Sequence, residues 1–244
     1  MLIDILYQDD DMLAVHKPAK CLVHPSQIAT QEQELTLVER LESQLQQKVF
    51  PVHRLDRPTS GVLLFALKAS IAPLLQQQFQ AEADDERVKK HYLAVVRGFA
   101  PEQQVIDHPA KPIRDKRLSA SQNAPKPAQT HLSCRAKYEL PFSVDRYPSS
   151  RYSLVELQPL TGRKHQLRYH MKHIARPIIG DPRYGKRLHN QLFCDRLESS
   201  RLLLKAQQLE LMHPVHDERL IISANKDDFD LVVERLDRLY QVSV

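Results

Sequence analysis

The nine residues His53-Arg54-Leu55-Asp56-Arg57-Pro58-Thr59-Ser60-Gly61 lead directly into the apolar run Val62-Leu63-Leu64-Phe65-Ala66-Leu67. No other stretch constrains the fold as tightly. Pro58 fixes one backbone angle, and Gly61 permits a turn. A short apolar run bounded by such signals predicts a strand. Asp56 is then placed on a tight turn beside that strand, between Arg54 and Arg57. Flanking cations keep a carboxylate of this kind ionised. An ionised carboxylate can act as a nucleophile. It can also cap the turn and pair with an arginine, and spacing alone leaves both readings open.

The remaining elements follow from periodicity. Residues 12–16 and 21–24 read as short strands around Lys17-Pro18-Ala19-Lys20. Leu35, Val38, Leu41 and Leu45 recur at helical spacing, which predicts an amphipathic helix over 34–47. Ser70 is placed to cap a helix running to about residue 83, with Leu74, Leu75 and Phe79 inward. Over 87–97 the residues alternate, so Val88, Lys90, Tyr92, Ala94 and Val96 share one face of a strand. Tyr92, among apolar neighbours, is expected to be at least half-buried. From about 100 to 130 the periodicity is lost among prolines, which reads as a long surface loop inside a single domain. Strands are expected at 129–139 and 151–158. A helix then opens after Thr161-Gly162 with Leu167, Met171 and Ile174 inward. Leu209, Leu211, Leu220 and Ile222 mark strands around His213-Pro214. A last helix over 227–240 turns Phe229, Val232, Val233, Leu236 and Leu239 inward.

Charge narrows the class of partner. Lys+Arg is 35 against Asp+Glu 30, an excess that favours anionic partners. It is concentrated in the window 162–189, which holds Arg163, Lys164, Arg168, Lys172, Arg176, Arg183, Lys186 and Arg187 against the lone acid Asp181. So strong a bias points to a phosphate-binding surface rather than a merely solvated face. His165, His170 and His173 lie in the same window, yet no carboxylate or cysteine joins them at ligand spacing, and no metal is expected. Cys21, Cys134 and Cys194 are far apart and show no zinc pattern, which suits reduced thiols in the cytoplasm. The start Met1-Leu2-Ile3-Asp4 has no secretory pattern, and no apolar run is long enough to span a membrane.

Several stretches together resemble the RluA-type pseudouridine synthases. The 53–61 segment is similar to their catalytic motif. Ala14 to Pro25 resembles the first motif, and Lys90-His91-Tyr92-Leu93-Ala94 resembles the tyrosine-bearing strand. Thr161-Gly162-Arg163-Lys164-His165-Gln166-Leu167-Arg168-Tyr169-His170 resembles the third motif, and Pro177-Ile178-Ile179-Gly180-Asp181 extends it. Lys205 stands where the family usually has His. The first motif begins almost at once, so an added N-terminal RNA-binding domain is not expected.

The resemblance implies a mixed α/β fold with a central, largely antiparallel sheet flanked by helices, forming one catalytic domain over 1–244. It implies isomerisation of uridine to pseudouridine in RNA, without cofactor or metal. Catalytic roles fall on Asp56 as nucleophile or base, on Tyr92 as the ring stacked on the target base, and on Arg168 as the partner of the carboxylate. Whether Asp56 attacks ribose C1′ or uracil C6 stays open. RNA contacts are expected from Arg54, Arg57, Arg163, Lys164 and Lys172, with Arg54 either filling the gap behind a flipped base or pairing with phosphate. Tyr147-Pro148-Ser149-Ser150-Arg151-Tyr152 is similar to the family's short members that convert uridine 65 of tRNA. Ribosomal RNA, or both RNAs, is the alternative substrate. A catalytically silent RNA-binding protein is the alternative class, although such a scaffold would not need Asp56, Tyr92 and Arg168 together. A monomer with no obligate protein partner is expected.

Overall fold

A computed structural model of the protein describes residues 2–24, 35–80, 87–110 and 124–242. In chain order the elements are β1 (Ile5–Gln8), β2 (Met12–Lys17), α1 (Leu37–Leu45), β3 (Phe50–Pro51), β4 (Ser60–Ala66), α2 (Ala72–Gln80) and β5 (Val88–Arg97). They continue with β6 (Gln103–Asp107), β7 (Gln129–Leu140), β8 (Ser150–Pro159), α3 (Gln166–His173), α4 (Arg187–Leu197), β9 (Leu204–Met212), β10 (Arg219–Ser223) and α5 (Asp228–Tyr240). The fold is mixed α/β, and its strand pairings are largely antiparallel, as the family resemblance implies. Two compact units divide the chain. One comprises residues 1–90 and 206–225, the other residues 91–205 and 226–244.

In the first unit the strand order is β1-β2-β4-β9, with β3 on β4 and β10 on β9. Every residue of β2 and β4 is buried, which is why β4 reads as an apolar run rather than an alternation. Its core joins Met12, Val62 and Leu64 to Leu75 of α2 and to Leu209, Leu211 and Ile222. Asp9 fixes the β1–β2 turn by accepting from the backbone N–H of Asp11 and Met12 and from the hydroxyl of Tyr7. Thr36 caps α1 through a reciprocal capping box with Glu39.

Gly61 opens β4 at φ +110, and a Cβ placed there would lie 2.1 Å from the carbonyl oxygen of Ala206. Both the dihedral and the close approach require glycine. Gly61→Ala is expected to lower stability by roughly 2–5 kcal/mol, combining overpacking with a disfavoured backbone region. Urea denaturation measures this directly, and a cost below about 1 kcal/mol would show that the neighbouring strand gives way.

In the second unit the strand order is β5-β8-β7-β6. One cluster joins Val95, Tyr138 and Tyr152 to Phe193 of α4 and to Phe229 and Leu236 of α5. Another joins Ala94, Val96, Val155 and Leu157 to Leu167 and Met171 of α3. The alternation of β5 thus sends its residues to two cores. Lys205 is almost fully buried and bonds Asp230 of α5 at 2.5 Å, so this departure from the family pattern anchors a helix.

Some expectations need correction. Gln103–Asp107 is not loop but the strand β6, paired with β7, and Ala110 bridges to Lys126. Residues 111–123 of that stretch lie outside the described residues. Residues 21–24 form no strand. Helix α2 begins at Ala72 after a turn, and the ends of the helices expected over 34–47 and to residue 83 also reach outside the described residues. Leu35, Leu74 and Leu239 are exposed rather than inward. On α1 the buried positions are Leu37 and Leu41, set by the Thr36 cap.

Candidate active site

The first unit carries the Asp56 turn. The backbone N–H of Thr59 donates to the Asp56 carbonyl at 3.0 Å, closing the turn around Arg57-Pro58. Beneath it lies Lys17, the last residue of β2, with no exposed surface. Its ammonium donates to the carbonyls of Pro18 at 2.8 Å, Arg57 at 3.1 Å and Thr59 at 2.8 Å. Arg57 in turn donates through Nε to the Lys20 carbonyl at 3.0 Å. A buried ammonium requires such partners, and the partners it takes are the backbone of the turn itself. The Asp56 side chain is half-buried, and Arg54 beside it is exposed.

His53 braces the same segment from the other side. Its Nε2 accepts the backbone N–H of Leu64 at 3.1 Å, and its ring stacks on Phe79 at 4.3 Å between centroids. Burial, with the charge of Lys90 adding to it, pushes the His53 imidazolium down to about 3 from an ordinary value of 6.5. The folded state therefore holds His53 neutral where an unfolded chain would protonate it. Its contribution to stability is complete above about pH 6.5 and is lost as pH falls towards about 3. Within that window one such group contributes a slope of about 1.4 kcal/mol per pH unit. His53→Gln is expected to remove about one proton's worth of that slope. Denaturation series at pH 7, 6 and 5 measure it, and an unchanged slope would show that His53 titrates normally.

The second unit carries the tyrosine strand and the basic helix. Tyr92 is half-buried on β5, opposite Leu157 of β8, and packs against the cluster that holds Leu167 and Met171 of α3. The polar residues before and within α3 fix its entry. Gln166 accepts from the Thr161 hydroxyl at 2.7 Å and from the Arg163 backbone N–H at 3.0 Å, and donates to the Gln129 carbonyl and Thr130. His170 donates through Nε2 to the His108 carbonyl at 2.8 Å, which leaves Nδ1 to accept from Thr130 at 2.9 Å. Burial first, with the charges of His108 and His173, lowers the His170 pKa, so it stays a neutral structural group.

Arg168 lies on α3 with only 4% of its surface exposed. Its Nε and Nη2 donate to the two carboxylate oxygens of Asp181 at 2.7 and 2.9 Å, the planar fork that arginine alone provides. Burial raises the Asp181 carboxyl, but the Arg168 bond and the backbone N–H groups of Tyr184 and Arg183 outweigh it and hold it below the usual carboxylate range. Arg163, Lys164 and Lys172 are exposed, with Arg163 donating to the Pro127 carbonyl and Lys172 lying 6.0 Å from the Tyr184 ring centre.

Asp11, His213 and His216 bring one ligand atom each within 4.8 Å of one another in the first unit. The His213 Nδ1 accepts the backbone N–H groups of Val215 and His216. Its Nε2 therefore carries the proton, donated to Asp9 at 2.9 Å, and offers no lone pair to a metal. Burial raises the Asp9 carboxyl, and bonds from Tyr7, the Asp11 and Met12 backbone and His213 outweigh it, holding it at about 2.

The family model for RNA pseudouridylate synthase matches residues 11–173, which include Asp56, Tyr92 and Arg168. The chain belongs to this family. It is 46% identical over 230 residues to tRNA pseudouridine synthase C of Haemophilus ducreyi, covering 93% of this chain and 92% of that one. The protein of the same name in Pasteurella multocida is 44% identical with 93% of each covered, and that of Vibrio cholerae 42% identical with 93% and 92% covered. Among solved structures, human RNA pseudouridylate synthase domain containing 1 superposes with a TM-score of 0.67 at 27% identity, over 99% of this chain and 97% of that one. Human RNA pseudouridylate synthase domain containing 4 gives 0.68 at 26% identity, over 96% and 93%. The matched residues take in the motif stretches at 14–25, 53–61, 90–94 and 161–170. The scaffold roles of Lys17, His53, Gln166 and His170 are not legible from residue type, since each rests on partners distant in sequence or on backbone groups.

Proposed function

We propose that this chain isomerises uridine to pseudouridine in tRNA, acting as one catalytic domain. The observation that carries this reading is the family membership, joined to relatives named tRNA pseudouridine synthase C that align over nearly the whole chain. In the reaction the glycosidic bond breaks, the base turns, and C5 rejoins the ribose. Asp56 supplies the nucleophilic carboxylate, on a turn fixed by the Lys17 ammonium. Tyr92 stacks on the uracil face, and its phenol is placed to move a proton. Arg168 keeps the carboxylate ionised and oriented. No step calls on a cofactor or metal.

Uridine 65 is the target in this reading, through the similarity of the 147–152 segment to members acting there. The exposed cations Arg54, Arg57, Arg163, Lys164 and Lys172 follow the RNA backbone, and Arg54 enters the space left by the flipped base. The protein works as a monomer in the cytoplasm, where its tRNA is found. Among the described residues no helix is long and apolar enough to cross a membrane.

A stem uridine must be unpaired before chemistry, at a cost of about a few kcal/mol, so binding over a large tRNA surface has to offset it. Rates on intact tRNA, an isolated acceptor–T arm and a linear oligonucleotide of the same sequence, compared at one salt concentration, test this. Intact tRNA should react fastest and the oligonucleotide slowest, with binding that weakens steeply as salt rises. Equal rates on all three would show that local sequence suffices. A ribosomal RNA fragment modified faster than any of them would overturn the tRNA assignment.

A further inference from the structure

Arg168 is gripped on two sides. Asp181 takes Nε and Nη2, and the ring of Tyr184 lies 5.4 Å from the guanidinium carbon. The residues that grip it are themselves fixed. The Oδ1 of Asp181 also accepts the backbone N–H groups of Arg183 at 2.9 Å and Tyr184 at 3.0 Å. The Asp181 carbonyl accepts from the Gly185 N–H at 3.1 Å and from Asn190 Nδ2 at 3.2 Å. Gly180 sits at φ +76, where a Cβ would fall 1.7 Å from the Arg201 carbonyl oxygen, so the turn is pressed against its own unit. Just upstream, Ile178 bridges to Val96 and Ile179 N–H donates to the Val95 carbonyl at 2.9 Å, tying the turn to β5.

Stability does not account for this arrangement. A buried ion pair contributes little net free energy compared with well-packed apolar residues, because both charges must be desolvated. What a bidentate pair on an immobile turn does supply is a single orientation of the guanidinium. The guanidinium carbon lies over the ring of Tyr184, whose face favours a cation there.

We propose that Asp181 and Tyr184 are positioning residues for the pseudouridine reaction, holding the Arg168 guanidinium in the orientation that serves Asp56. This rests on the role given to Arg168 above. Tyr184→Leu removes the ring and leaves Asp181 in place. It should lower kcat roughly 10- to 100-fold, the scale of a misplaced catalytic group, while KM and RNA affinity move less than about threefold. Tyr184→Phe keeps the ring and should restore near-normal kcat. Asp181→Asn should lower kcat further, with circular dichroism and a melting curve to establish that it folds. Because Asp181 is buried, the Tyr184 pair decides the matter if the Asn variant does not fold.

Arg168→Lys is measured beside these. If it turns over like the parent, the role of Arg168 itself fails and the positioning inference falls with it. If it is impaired and Tyr184→Leu is not, the inference alone fails. A Tyr184→Leu defect confined to KM would make the ring an RNA contact and overturn it, and so would equal losses in Leu and Phe. Support requires one more result, that adding Tyr184→Leu to Arg168→Lys lowers kcat no further.

Discussion

Asp56→Asn is expected to make no detectable pseudouridine while its affinity for tRNA changes less than tenfold, or about 1.4 kcal/mol. The substitution keeps the size of the side chain and removes its charge. A neutral amide is a poor nucleophile, so the step that forms or breaks the bond to the ribose or base is lost. The turn itself should survive. It is held by the Lys17 ammonium on the Arg57 and Thr59 carbonyls and by the Thr59 N–H on the Asp56 carbonyl, all independent of the Asp56 carboxylate. Pseudouridine is read by chemical mapping of the product tRNA, and binding by filter retention at fixed salt. More than a few per cent of parental activity in a folded Asn variant would remove Asp56 from the role of nucleophile.

The second large effect is expected at Arg168. Lysine keeps the positive charge and loses the planar fork, so it cannot reproduce both bonds to Asp181. The fold should persist, since an ammonium can still neutralise Asp181, at a cost of about 1–3 kcal/mol. Turnover should fall by roughly 10²–10³, because the orienting role proposed for this guanidinium is lost while binding is not. Single-turnover rates at saturating enzyme separate this from a defect in tRNA capture. A folded Lys variant with parental single-turnover rates would show that the fork has no catalytic purpose.

The elements that sequence periodicity reveals are those with a buried face to repeat. The fully buried β4 and the long β5, β7 and β8 are legible as apolar runs or alternation. Strand β6 is not, because only Ile106 of its five residues is buried and an edge strand pairs along one side. Helix α4 escaped for a related reason. Its buried set, Leu192, Phe193 and Leu197, is too sparse to stand out against a polar stretch. Misplaced inward residues such as Leu35 and Leu239 lie at or beyond helix ends, where caps rather than periodicity set the boundary.

In the site, resemblance picks out Asp56, Tyr92 and Arg168, whereas their supports depend on distant partners. Lys17 reads as part of a proline turn packed near the site, but residue type does not reveal that its ammonium reaches the carbonyls of residues 57 and 59. Asp181 stands out in sequence only as the lone acid of a basic window, and its reason for being there is a guanidinium thirteen positions earlier.

The composition of the first unit has a consequence for its synthesis. Its core needs Leu209, Leu211 and Ile222, and β4 lies beside β9, but residues 91–205 must be made before these emerge from the ribosome. At roughly 5–20 residues per second, the nascent segment bearing Asp56 waits on the order of ten seconds for its missing strand. During that time the apolar run 62–67 has no complete core to enter, which makes it a natural client for a chaperone. The same dependence means that a chain released early would carry every motif residue through Arg168 and still lack β9, the strand beside the β4 that follows the Asp56 turn.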